Sequence, residues 1–279
     1  MKVHHYTTIE TLALILKNKT IRFNRLDKVD DLEESEYGIS SADMKMGKYI
    51  FVSCWTKDNA ENVALWGLYT RNKGVRITLD EDMFVTYPIN ETHKSYFRSF
   101  IEFGKDYVIV TANNNAEILD IEYVDNLAQK VQEIGDFSVT PDNEKYTLKF
   151  ANTFGNFKSK HWKFQKECRF KIIALPCKYS KDEEFLGSLA SNQSFLTTAS
   201  YTLSEIFNSI SSSFMEYQDI SANYFDIPLN GTAFQNMEIL LAPQSSEADK
   251  LIVEALIKSY CPTALLKEST LKGKIRGKL

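Results

Sequence analysis

Cysteine, histidine, proline and glycine are all scarce in this chain of 279 residues. It has 4 Cys and 4 His; no two Cys stand at CxxC spacing and no HExxH occurs. A structural zinc site and a disulfide scaffold are therefore not expected, and the thiols read as reduced and mostly buried. With 11 Gly and 6 Pro, collagen-like, low-complexity and linker-dominated classes are excluded. Long apolar runs are missing: stretches such as Ile239-Leu240-Leu241-Ala242 are far too short to cross a bilayer. Met1 to Tyr6 lacks the apolar core of a signal peptide, so a cytoplasmic protein with no membrane partner is expected. A surplus of positive charge is absent too. The 33 Lys and Arg face 37 Asp and Glu, a net charge of −4, which argues against holding duplex DNA by its phosphates as the main task. GxGxxG, Walker and GxSxG signatures do not occur.

What is present is ordinary globular material: 43% apolar and 25% charged residues, enough for a sizeable core. Lys2 to Tyr6 has strand character. Thr8 reads as the N-cap of a helix whose Leu12, Ile15 and Leu16 share one face, and Lys17-Asn18-Lys19 closes it. Thr20 to Asn24 is a strand, Lys28 to Tyr37 an acidic, turn-rich loop, and Lys48 to Trp55 a strand apolar on both faces and hence central. Helical signals run from Asp58 to Thr70, followed by a strand from Gly74 to Leu79. Further strands are expected at Tyr107 to Thr111, Phe170 to Ala174, Glu238 to Ala242 and Ala264 to Leu266. Helices are expected around Asp125 to Ile134, Asn143 to Asn156 and Ala248 to Ser259. Core elements at both ends of the chain predict one mixed α/β (α+β) domain over 1–279. It has a central mixed or antiparallel sheet, flanking helices and two inserts, at about 88–158 and 180–235.

Four groups of residues are candidates for chemistry, each with a structural alternative. His5, on the first strand, can donate a hydrogen bond to a ribose hydroxyl while neutral, or be a satisfied core His. Trp66 and Tyr69, three apart on a helix, offer rings for stacking on a planar ligand, or simply pack. Glu167 and Arg169 share one strand face. They are either an ion pair or a carboxylate that steadies positive charge at a sugar carbon, with its neighbour. Arg22 and Arg25 can hold a diphosphate, or pair with Asp27, Asp30 or Asp31. A third chemistry, Mg²⁺ gathered by Asp30, Asp31 and Glu33 for a nuclease, is also open.

Collinear blocks carry a family resemblance. They are His4-His5-Tyr6, Thr20-Ile21-Arg22-Phe23, Asp30-Asp31-Leu32-Glu33, Val52-Ser53-Cys54-Trp55, Leu65-Trp66-Gly67-Leu68-Tyr69 with Gly74-Val75-Arg76-Ile77, Trp162-x-x-x-x-Glu167-x-Arg169, and Ser269-x-Leu271-x-Gly273-Lys274-Ile275. On these the chain resembles the prokaryotic "domain of unknown function 2971" family over most of its length, outside the two inserts. That family's Asn-Asp-Pro-Phe-Glu block reads Val29-Asp30-Asp31-Leu32-Glu33 here, without the proline. More distantly, the His4-His5-Tyr6-Thr7 strand and the Leu12-to-Leu16 helix are similar to nucleic-acid-modifying ADP-ribosyltransferase toxins. This resemblance implies an ADP-ribosyltransferase-like fold and an NAD-dependent transferase that needs no metal. It also implies a toxin or antiphage role, an RNA, DNA or protein acceptor, and an antitoxin partner. It assigns NAD binding to His5, stacking on nicotinamide to Tyr69 or Trp66, a diphosphate contact to Arg22, and the catalytic carboxylate to Glu167. A non-catalytic sensor or interaction module of a defence or regulatory operon is the competing expectation.

Overall fold

The computed structural model describes residues 1–35, 38–39, 44–134, 153–178, 205–214, 216 and 218–276. Its elements, in chain order, begin with strand β1 (Lys2–Thr7), helix α1 (Ile9–Asn18), strand β2 (Thr20–Arg25) and a one-turn helix α2 (Leu32–Ser35). Strand β3 (Ile50–Thr56), helix α3 (Val63–Thr70) and strand β4 (Val75–Asp80) follow. Then come β5 (Leu119–Asp120), β6 (Phe157–Ser159), β7 (Glu167–Ile173) and β8 (Tyr224–Pro228). Strand β9 (Glu238–Leu241), helix α4 (Glu247–Tyr260) and strand β10 (Leu265–Glu268) close the fold.

A nine-stranded sheet organises the molecule, with the path β5-β7-β3-β1-β4-β9-β10 and the pair β2–β8 attached beside β3. Every pairing in it is antiparallel except β9 with β10. The fold is thus mixed α/β with a large, mostly antiparallel sheet. β3 is central, as its two-faced apolar sequence predicts: Ile50, Phe51 and Val52 are buried, and β7 pairs with it along its whole length.

The sheet splits on the other side of β3. β1 pairs fully with β4 but meets β3 only at His4↔Thr56. β2 meets β3 at Asn24↔Val52 and Arg25↔Phe51. These registers place neither strand opposite Ser53 and Cys54, so a wedge opens there between β1 and β2. The wedge is built by α1, which links the two strands. Thr8 caps that helix by accepting from the Thr11 amide, and Lys19 ends it in the left-handed region. Leu12, Ile15 and Leu16 anchor it in the core. Each such side chain contributes roughly 1.5–3 kcal/mol by leaving water, which fixes the wall of the wedge.

On the neighbouring side α3 packs over β1 through Tyr6, Leu65 and Trp66. Asn62 caps α3, so the helix starts later than the expected Asp58. After it, Gly74 lets the chain pass close to β1: a Cβ there would sit 2.2 Å from the Thr7 carbonyl oxygen.

The expected inserts divide differently. β5, within 88–158, joins the sheet edge, and β8, within 180–235, is a sheet strand. The helix expected over 143–156 falls mostly outside the described residues, as do residues 179–204, and 153–155 form a turn. Among the described residues no helix is long and apolar enough to cross a membrane.

Candidate functional site

The wedge between β1 and β2 is a cleft of about 450 Å³, within the range that holds a small molecule. Its walls are α1 and β2, and its floor is formed by Val52, Ser53 and Cys54 of β3 together with Glu34, Lys158 and Glu167. A side pocket of about 70 Å³ adjoins it, lined by Trp55 and Leu65 among others. His5, Tyr69 and Glu167 line both spaces, so three residues far apart in sequence converge on one site.

His5 sits where β1 leaves β3. Its Nδ1 is 2.8 Å from the Cys54 carbonyl oxygen, and its ring tilts against Trp55 at 5.1 Å. A carbonyl only accepts, so Nδ1 carries the proton and Nε2 is left as an acceptor. Burial lowers the His5 pKa and keeps the ring neutral. This corrects one expectation: a ribose hydroxyl would donate to His5 and not accept from it.

Glu167 lies at the start of β7 and is buried. Arg169 Nε donates to its Oε1 at 2.9 Å, Arg169 Nη2 donates to the same oxygen, and Lys158 Nζ donates to Oε2 at 2.9 Å. Burial pushes this carboxyl up, but the Arg169 and Lys158 charges outweigh it and hold Glu167 well below the usual carboxylate range. Both alternatives weighed for Glu167 therefore meet in one residue: it is an ion-paired carboxylate that faces a cleft. Three charge-assisted hydrogen bonds make it a poor nucleophile and a fixed, permanent negative charge. The Cys54 thiol lies beside it. Burial raises its pKa well above the ordinary value, so no thiolate nucleophile forms.

Tyr69 is tied to the same network. Gln165 Nε2 donates to its hydroxyl at 2.7 Å, and Gln165 Oε1 accepts from Lys158 at 2.9 Å. Burial raises the Tyr69 pKa, so it stays a phenol. Trp66 does not line the cleft. It is fully buried, edge-on to Tyr6 at 4.7 Å, with its indole N–H donating to Glu61. A ring enclosed on all sides offers no face to a ligand, which removes Trp66 as the stacking residue. Arg22 lines the cleft, but its fork is already bidentate to Asp226 at 2.9 Å through both nitrogens, and it stacks 3.6 Å over Tyr224. A diphosphate would have to compete with that pair. Arg25 is spent on Asp27 and Asp219.

The carboxylates of the acidic loop do not gather. Asp31 turns back to accept from the Glu33 amide at 3.0 Å, and Glu33 is exposed. Among the described residues no group of three or more His, Cys, Asp or Glu is arranged to hold a metal ion. The basic run from Lys158 to Arg169 is largely neutralised: Lys158 and Arg169 are buried in the cluster, Lys160 pairs with Asp125 and Lys166 with Asp58.

Two residues were missed by sequence reasoning. Glu34, at 0% exposure, lies beside Arg169 and Lys158 on the cleft floor, and Lys158 holds Glu167. Each stands in a run of like charge, and such runs read as solvated surface.

Fold and site together define a mixed α/β protein with a ligand-sized cleft at a sheet split, floored by a buried charge cluster. No family model matches the chain, and no significant match is found among curated proteins or solved structures.

Proposed function

We propose that the cleft binds NAD and that the protein is an ADP-ribosyltransferase, acting as a toxin or antiphage effector on a nucleic-acid or protein acceptor. One observation carries this reading: His5, Tyr69 and Glu167, singled out by their order along the chain, line a single cleft. The wedge between two parallel strands joined by α1 also supports an ADP-ribosyltransferase-like fold.

In this mechanism His5 Nε2 accepts from a ribose hydroxyl, and the Tyr69 ring bounds the side pocket where the nicotinamide sits. Glu167, held anionic by Arg169 and Lys158, steadies the positive charge that develops at the ribose C1 as nicotinamide departs with the bonding electrons. The acceptor nucleophile then attacks C1 and loses its proton to solvent. Arg22 keeps its place near the cleft mouth as a diphosphate contact that trades Asp226 for the ligand.

The test is incubation of pure protein with labelled NAD and cellular RNA, DNA or protein. Label transfer with nicotinamide release is expected. Glu167→Gln should slow release by about 10²–10³-fold, the usual cost of removing one electrostatic group from a transition state. No NAD binding and no release would end the reading.

A binding module of a defence operon is the second reading. It is favoured by the full engagement of Glu167 and Arg22 in ion pairs. Under it, Glu167→Gln leaves toxicity or phage protection unchanged.

A further inference from the structure

The cleft floor contains two buried carboxylates, Glu34 and Glu167, that share two cations, Arg169 and Lys158. They are not held equally. Glu167 takes the short, well-aligned donors on both oxygens. Glu34 Oε2 has only a 3.4 Å contact to Arg169 Nη2 and lies 3.8 Å from Lys158 Nζ. Its Oε1 is 3.0 Å from Arg169 Nη2 but outside hydrogen-bonding alignment, so no donor reaches it. A fully buried carboxylate oxygen without a donor is costly, and a proton removes most of that cost.

We infer that Glu34 is a positioning carboxyl: it holds a proton in the empty cleft and releases it to water when a cationic ring enters beside Glu167. The inference rests on the reading of the cleft as an NAD site. Glu34 acts through Arg169 and Lys158. While it is protonated, the four groups carry a net positive charge, and both cations lean on Glu167. A ligand that brings its own positive ring adds a further positive charge, and ionisation of Glu34 offsets it, returning the total to its ligand-free value. The nicotinamide ring of NAD carries such a charge; ADP-ribose, which lacks the ring, does not.

The groups facing Glu34 agree with this. Asp31 stands beside it in the chain. Residues 26–28 bring Asp27 and Lys28, and residues 46–49 bring Lys48. Asp27 is engaged by Arg25, and Lys48 lies by Asp219. β6 contributes Lys158 and β7 contributes Glu167 and Arg169. Tyr69 and Tyr123, whose pKa values are raised chiefly by burial and further by Glu34, remain neutral phenols. Burial chiefly, with the Glu167 and Asp31 charges adding to it, raises Glu34 to about 7 against the pull of the two cations.

The experiment is titration calorimetry of NAD and of ADP-ribose into the whole protein across neutral pH, in buffers of different ionisation heat. NAD should bind more tightly as pH rises, approaching about tenfold per pH unit, the limit for one released proton. ADP-ribose should show no such slope, and Glu34→Gln should flatten the NAD slope. Carbon-13 NMR of glutamate-labelled wild type should show one carboxyl titrating near neutrality. NAD binding without a pH slope, or no such carboxyl in the wild type, overturns the inference while the NAD site stands. If neither nucleotide binds, the NAD reading falls and the ligand-triggered release with it. The wild-type measurements decide the matter even if the variant folds poorly.

Discussion

Two regions of the molecule carry ion pairs of opposite character. At the cleft floor, Glu34, Glu167, Arg169 and Lys158 have side chains 0–5% exposed. At the far edge, Lys267 of β10 pairs with Glu238 of β9, and their side chains are 47% and 36% exposed. The edge pair gains little because water already solvates both partners. The floor cluster has lost most of that water, and its members are compensated chiefly by each other, with Gln165 and the Gly155 carbonyl as further partners of Lys158 and Arg169. Stability alone does not explain such a cluster, since an apolar core of similar volume would serve as well or better. Under the proposed NAD reading, its place under a ligand-sized cleft supplies the reason: it fixes the Glu167 charge where the ligand would meet it.

Breaking the floor should therefore have the largest effect. Arg169→Met leaves Glu34 and Glu167 buried against Lys158 alone. We expect a loss of about 3–5 kcal/mol in unfolding free energy by denaturant titration, the range for orphaning a buried charge. A loss below about 1 kcal/mol would mean that water enters the cluster, and the contrast with the edge would collapse.

The floor should also respond to pH near neutrality, where the edge carboxylate Glu238, held below its ordinary value by the Lys267 hydrogen bond, stays ionised. Glu34 is raised to about 7 in the folded protein, chiefly by burial, from an ordinary 4.5. The folded state therefore binds more protons than the unfolded one between those values. The stability Glu34 contributes is full below about 4.5 and is lost as pH rises through about 7. Glu167, held low by the Arg169 and Lys158 charges in spite of burial, behaves in the opposite sense. Its contribution is full above its unfolded value and is lost in acid, as pH falls through about 2. Other buried bases, His4 and Lys171 among them, titrate as well. The clean measurement is thus the difference between wild type and Glu34→Gln. It should shift in favour of the variant as pH rises from about 4.5 to about 7. A pH-independent difference would show that Glu34 does not titrate there.

The contrast between floor and edge also explains what the sequence discloses. Local grammar was readable: the Thr8 cap, the Leu12-Ile15-Leu16 face and the central β3 all lie where their residues direct them. Glu167 with Arg169 on one strand face was readable for the same reason, because alternation along a strand is local. Burial that depends on distant chain was not. Glu34 sits in an acidic loop and becomes enclosed only when β6 and β7 pack over α2. Lys158 sits in a basic run and turns inward to meet it. Trp66 and Tyr69 share helix spacing, yet only Tyr69 reaches the cleft, because Tyr6 and Glu61 close over the indole. β8 was hidden because Asp226 and Pro228 weaken its strand signal, although Asp226 is the residue that holds Arg22.

Smaller changes sharpen the comparison. Tyr69→Phe keeps the ring at the side pocket but removes the acceptor for Gln165. A loss of about 1 kcal/mol in stability is expected, with NAD affinity weakened less than by loss of the ring. If Tyr69→Phe and Tyr69→Leu weaken NAD binding equally, the ring plays no part.

The smallest effect belongs to the edge. Lys267→Met removes the exposed partner of Glu238 and leaves Glu238 in contact with water. The change in unfolding free energy should stay within about 0.5 kcal/mol and shrink further at high salt, since exposed charges are screened over about a Debye length. Arg169→Met, by contrast, should keep most of its cost at high salt, because buried pairs are screened much less than exposed ones. A salt-insensitive Lys267→Met effect as large as that of Arg169→Met would mean that burial does not separate the two regions, and the case for the cleft floor as a functional device would lose its physical basis.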